Sequence, residues 1–195
     1  MKNSQIRSLV FTIILVVLAV LFRTAWHLGP NIEFVTTASF LAATYLGGFW
    51  AVVVPLTAMV ISDKIIGNTN IFIFTWSGFV FIGLIDYWLI KKLGKDRLVF
   101  KQTGIGVMAS LFFYLYTNFG VWVTDFFGMY PRTLSGLIEC YIMGLPFLKF
   151  NLGSNLLFVP LSFTISQFLC ERGYRCKKYF LTLKTFYFLS TKDKA

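Results

Sequence analysis

The sequence predicts an all-α integral membrane protein of six transmembrane helices with both ends in the cytoplasm, and three observations carry that prediction. Hydrophobic residues make up 57% of the 195 positions and charged ones 13%, with a mean hydropathy of +0.72. A soluble domain of this size could not hide so much apolar surface. The apolar residues fall in long blocks separated by short breaks of Gly, Pro, Asn and Lys. The basic residues collect on one side of the resulting topology.

The first block, about Ser8 to Ala25, covers a hydrocarbon core of about 30 Å at about 1.5 Å per residue. Lys2 and Arg7 precede it, as they would a signal peptide, but Arg23-Thr24-Ala25-Trp26-His27 offers no small-x-small cleavage site, so it reads as a retained span. Gly29-Pro30-Asn31 is a turn signal. Phe34 to Ser62 is nearly uninterrupted and as one helix would reach roughly 43 Å, too long without steep tilt. Gly47-Gly48 at its middle divides it into Glu33–Leu46 and Phe49–Ile66. Ile71–Ile90 and Gly104–Thr124 are the fourth and fifth spans. In Asp125–Phe147, Gly128, Pro131, Gly136, Gly144 and Pro146 act as breakers and Asp125 and Glu139 add charge, which predicts a structured outer loop or half-helix. Phe150–Cys170 is the last span. Residues 1–170 thus form one membrane domain, and 171–195 a basic, aromatic cytoplasmic tail.

Charge tests the Gly47-Gly48 division, because one span fewer reverses the side of everything downstream. Six spans place fourteen of the 18 Lys and Arg inside and leave Arg23, Lys64, Arg132 and Lys149 outside, whereas five spans leave only five inside. The hairpin is therefore required. The net charge of +10 then belongs to a basic inner rim facing anionic headgroups of the bilayer, as in a bacterial cytoplasmic membrane, and nucleic acid is not implied as a partner.

The same topology sorts the polar residues. Arg23, His27, Asn31, Glu33, Asp63, Asn68, Asn70, Asn118, Trp122, Asp125, Tyr130, Arg132, Glu139, Tyr141, Asn151 and Asn155 all fall toward the outer half, which predicts a pocket open to that side. Asn118 and Trp122, spaced i, i+4, share a face of the fifth span that Asp125 continues. Asn151 and Asn155 repeat the spacing on the sixth. An amide, an indole and a carboxylate in line suit a polar or cationic heterocycle, with Glu33, Asp125 and Glu139 close to aromatics. Asp63-Lys64 reads as a solvated interfacial pair, His27 as a loop residue, and Asp86 as a partner for a Lys such as Lys91. Nucleotide-binding and hydrolase signatures are absent, no cofactor is implied, and one His with Cys140, Cys170 and Cys176 unpaired in sequence gives no metal site. The chain is expected to work without enzyme chemistry.

Gly29-Pro30-Asn31-Ile32-Glu33-Phe34-Val35-Thr36, then Gly47-Gly48 and Ser62-Asp63 before Gly67, together resemble the substrate-binding S components of energy-coupling factor vitamin transporters. So do Thr117-Asn118-Phe119-Gly120-Val121-Trp122, Tyr130-Pro131, Gly136-Leu137, Cys140-Tyr141 and Gly144-Leu145-Pro146-Phe147. The resemblance implies a six-helix domain that captures a vitamin-like solute outside. It would pass the solute to a transmembrane T component and cytoplasmic ATPases. It also implies Asn31, Glu33, Asn118, Trp122, Asn151 and Asn155 as binding residues. The Ala-x-x-x-Ala docking spacing of that family falls here on Ala38 and Ala42. A non-catalytic structural or assembly subunit, using the polar outer face to bind other membrane proteins, is the alternative reading.

Overall fold

A computed structural model describes residues 2–26, 29, 31–67, 70–125 and 128–172. His27, Asn68, Cys176 and the tail from residue 173 onward lie outside the described residues, as does Pro30 of the predicted turn. Six helices follow one another: α1 (Lys2–Thr24), α2 (Val35–Tyr45), α3 (Gly48–Ile66), α4 (Phe72–Leu93), α5 (Leu98–Thr124) and α6 (Leu134–Arg172). There is no strand among the described residues. All the helices except α2 are long and apolar enough to cross a membrane, so the chain is an integral membrane protein in class.

The exception organises the fold. α2 has 11 residues, about 16 Å at the helical rise, and every residue from Val35 to Thr44 is buried. It packs against all five other helices, which surround it in the order α1, α3, α4, α5, α6. Its sequence, VTTASFLAATY, suits that place, because small side chains let backbones approach where lipid supplies no hydrophobic drive between helices. On α4, a Cβ at Gly83 would overlap the Ala51 carbonyl oxygen and Ser39 Oγ. The Ser39 hydroxyl donates to that same carbonyl at 3.1 Å. α1 and α6 make no helix-to-helix contact of the kind the other neighbours share. The rings of Phe22 and Phe158, 4.8 Å apart, close that seam.

The predicted hairpin is present. α2 ends at Tyr45, and Gly47, at φ +106°, turns the chain into α3. Pro55 lies within α3 without ending it. Successive helices run antiparallel: Arg23, ending α1, meets Glu33, just before α2, and Asp63, near the end of α3. At the opposite end Thr44 of α2 meets Lys95, between α4 and α5.

The outer loop differs from expectation. α6 is one helix of 39 residues from Leu134, with Pro146 and Pro160 inside it, so the connection from α5 is confined to residues 125–133. Gly and Pro break soluble helices, but in a membrane bundle glycine is a packing residue and neighbours tolerate proline. The backbone at Gly144 lies against the Asn118 amide, and that at Gly136 against the Pro131 carbonyl. Glu139 is exposed on the same helix. Ala38 and Ala42 are wholly buried, so they seat α2 inside the bundle and offer no face for docking.

Candidate functional site

The end of the bundle at Arg23 holds a closed polar cluster. The guanidinium donates from Nη1 to Glu33 Oε2 at 2.7 Å, from Nη2 to Asp63 Oδ1 at 2.8 Å and from Nε to Ser62 Oγ at 2.8 Å. Trp76 Nε1 donates to the other Asp63 oxygen at 2.7 Å. The Glu33 backbone exchanges two bonds with Ser154 Oγ, accepting at 2.9 Å and donating at 3.2 Å. One guanidinium thus ties α1, the α1–α2 connection and α3, with α4 and α6 attached through Trp76 and Ser154. The side chains of Arg23, Glu33 and Asp63 are 17%, 6% and 8% exposed. Removing one partner from so buried an ion pair typically costs about 3–5 kcal/mol. Asp63 is therefore a structural anion in the bundle, not half of a solvated pair with Lys64.

Beside this cluster lies a cleft between α5 and α6, roofed by the connection before α2. Asn31, Asn118 and Asn151 line it, together with Ser110, Tyr114 and Thr117, over a floor of Phe113, Phe147 and Leu148. Its cavity is about 20 Å³, and about 210 Å³ with the open space at its mouth included. Asn31 reaches it from a left-handed backbone, φ 59°, which asparagine tolerates better than most side chains. Most hydroxyls here are already committed. Ser110 and Thr117 donate to the carbonyls one turn back, Gly106 and Phe113, and the Tyr114 hydroxyl crosses to the Tyr141 carbonyl at 2.6 Å. The amides are less so. Asn118 Nδ2 donates to the Tyr114 carbonyl at 2.8 Å, and Asn151 Oδ1 accepts from Asn155 Nδ2 at 3.4 Å. Asn118 Oδ1 and Asn151 Nδ2 have no hydrogen-bond partner among the described residues. One acceptor and one donor are thus left on one cleft.

The remaining candidates lie elsewhere. Asn155 borders the cleft from behind, donating to Ser110 Oγ at 2.8 Å. Trp122 Nε1 donates to the Pro131 carbonyl at 3.1 Å, and Asp125 Oδ1 accepts from the Met129 and Tyr130 amides, so both shape the α5–α6 connection. The Tyr141 hydroxyl donates to the Leu115 carbonyl at 3.2 Å, and Glu139 is exposed. Glu33 belongs to the Arg23 cluster. Ser110, Tyr114 and Thr117 are additions that the sequence reasoning misses. A signal for them exists, since Ser110, Tyr114 and Asn118 continue one i, i+4 row.

A family described as one of unknown function (DUF6580) matches residues 2–178. The chain belongs to that family. The match takes in all six helices, hence both the Arg23 cluster and the cleft of this DUF6580 chain. No curated protein and no solved structure matches it.

Proposed function

We propose that the chain is a six-span protein of a bacterial cytoplasmic membrane, with both ends in the cytoplasm, that binds a small polar solute from the outer side for import. The carrying observation is the convergence of Asn31, Asn118 and Asn151 on one cleft, where Asn118 Oδ1, lying against the Gly144 backbone, and Asn151 Nδ2 have no hydrogen-bond partner among the described residues. That pairing of donor and acceptor suits an uncharged ligand with both functions, such as an amide or a lactam. Glu33, Asp125 and Glu139 are engaged or remote, which moves the reading away from a cation. Ligand pockets for drug-sized molecules usually exceed about 300 Å³, against about 20 Å³ of cavity here, room for roughly one water, so a vitamin-sized solute requires the Asn31 segment and the facing walls of α5 and α6 to move apart. The antiparallel order of the helices and the gathering of basic residues at the Lys95 end support the six-span topology.

On this reading the chain works without enzyme chemistry, as an S component would, alongside a T component and cytoplasmic ATPases. The test is affinity purification from native membranes in mild detergent. ATPase subunits held in fixed proportion support import, and their absence from a preparation that keeps the six-helix fold refutes coupling. The small cleft and the extensive internal fastening favour a second reading, a structural or assembly subunit. Recovery of a fixed envelope-assembly partner without ATPases is its signature.

A further inference from the structure

At the end of the bundle away from Arg23, Asp86 of α4 is 0% exposed and both its carboxylate oxygens lack a hydrogen-bond partner. The side chain of Gln102, on α5 and equally buried, faces it without reaching hydrogen-bond geometry, and Gln102 Oε1 is also unpartnered. The Gln102 nitrogen donates to Thr44 Oγ1 of α2 at 3.1 Å, which leaves the amide oxygen unpartnered. We propose that Asp86 is a proton-binding site, a carboxylic acid held neutral between α4 and α5 whose hydroxyl serves the Gln102 amide oxygen.

The argument rests on what would satisfy these atoms. An ionised carboxylate here would be a full charge whose one neighbouring donor, the Gln102 amide nitrogen, bonds Thr44 Oγ1 and stands outside hydrogen-bond geometry to it, in a part of the fold where water cannot supply another. One proton converts an orphaned acceptor into a donor, and that donor answers the second orphan, Gln102 Oε1. The balance is simple: the carboxylate takes a proton from water at the Lys95 end and returns it there. A metal cation fits less well. The oxygens of Asp86, Gln102 and Thr44 fall short of the six or more that a hard cation gathers, and the Lys95 ammonium already bonds the Thr44 carbonyl at 2.9 Å.

The charged groups nearest along the adjoining elements point elsewhere. On α4 itself Lys91 lies over the Tyr87 ring and Lys92 over the Trp88 ring. On α5 Lys101 pairs with Asp96 at 3.1 Å. Lys95 lies over Tyr45 of α2, and none of these donates to Asp86. Releasing the proton therefore requires α4 and α5 to part or water to enter. α5 also carries Ser110, Tyr114 and Asn118 of the cleft, so such a movement would be felt there.

The site is tested by infrared difference spectroscopy on the purified full chain in nanodiscs, taken from mildly acid to mildly alkaline buffer. The expected result is a carboxylic-acid carbonyl band at neutral pH that is missing from Asp86→Asn and moves to higher frequency in Gln102→Leu, where the acceptor is gone. A wild-type spectrum that superimposes on that of Asp86→Asn overturns the proposal. So does a melting temperature raised by sodium over potassium in wild type and not in Asp86→Asn, which would make this a metal cation site. If Asp86→Asn fails to fold, Gln102→Leu decides, and an unmoved band overturns the assignment.

Discussion

The two ends of the bundle treat buried carboxylates in opposite ways. At one end Glu33 and Asp63 share a guanidinium, and the remaining Asp63 oxygen takes the Trp76 N–H. At the other, Asp86 is buried without a donor. The difference teaches that burial alone does not define a role. A carboxylate with its donors in place fastens helices, whereas one without them marks a place where a proton decides the packing. The cleft lies beside the fastened end, its α6 wall tied to the Arg23 cluster through Ser154, and α5, its other wall, connects it to the far end.

The largest expected effect breaks the fastened end. Arg23→Leu strands two buried carboxylates and is expected to cost about 3–5 kcal/mol, whereas Asp86→Asn, isosteric and uncharged, is expected to change stability by less than about 1 kcal/mol. Unfolding by sodium dodecyl sulfate in mixed micelles measures both. Equal losses would erase the distinction between the ends.

A smaller effect concerns α2. At Gly83 an added methyl meets the Ala51 backbone, which cannot swing away as a side chain would, while at Gly153 it meets nothing within 4 Å. Gly83→Ala is expected to cost about 1–3 kcal/mol, and Gly153→Ala to lie within about 1 kcal/mol of wild type, on the stabilising side, by helix propensity. The same unfolding titration checks the pair.

The smallest effect is electrostatic and sits outside the spans. Burial pushes the Lys95 ammonium down from 10.5 to about 8. Between those values the unfolded chain holds more protons than the folded one, so this group makes stability rise with pH across that window. Lys95→Met is expected to flatten the slope, read as melting temperature against pH, and a slope unchanged by the substitution would remove Lys95 as its source.

Much of this architecture is legible in the sequence, for identifiable reasons. Gly47 can be placed because a missed hairpin would invert the charge distribution of the whole chain. The continuity of α6 is not legible, because Gly136, Gly144 and Pro146 carry opposite meanings in water and in a bundle, and only the partner surface on α5 distinguishes them. Asn118, Asn151 and Asn155 are found by helical spacing, which survives folding unchanged. Trp122 and Asp125 obey that spacing too, yet they sit where α5 ends, and the turn takes their polar atoms. The pairing of Arg23 with Asp63 joins residues 40 positions apart, and no local pattern announces it.

The solute cleft is the central claim, and native mass spectrometry of the chain released gently from membranes tests it whatever the chemical identity of the ligand. Wild type is expected to carry a small-molecule adduct that is lost from the Asn118→Leu, Asn151→Leu double variant while the folded protein persists. Identical adduct patterns for the two, or a bare wild-type chain after release under the mildest conditions, would contradict the account.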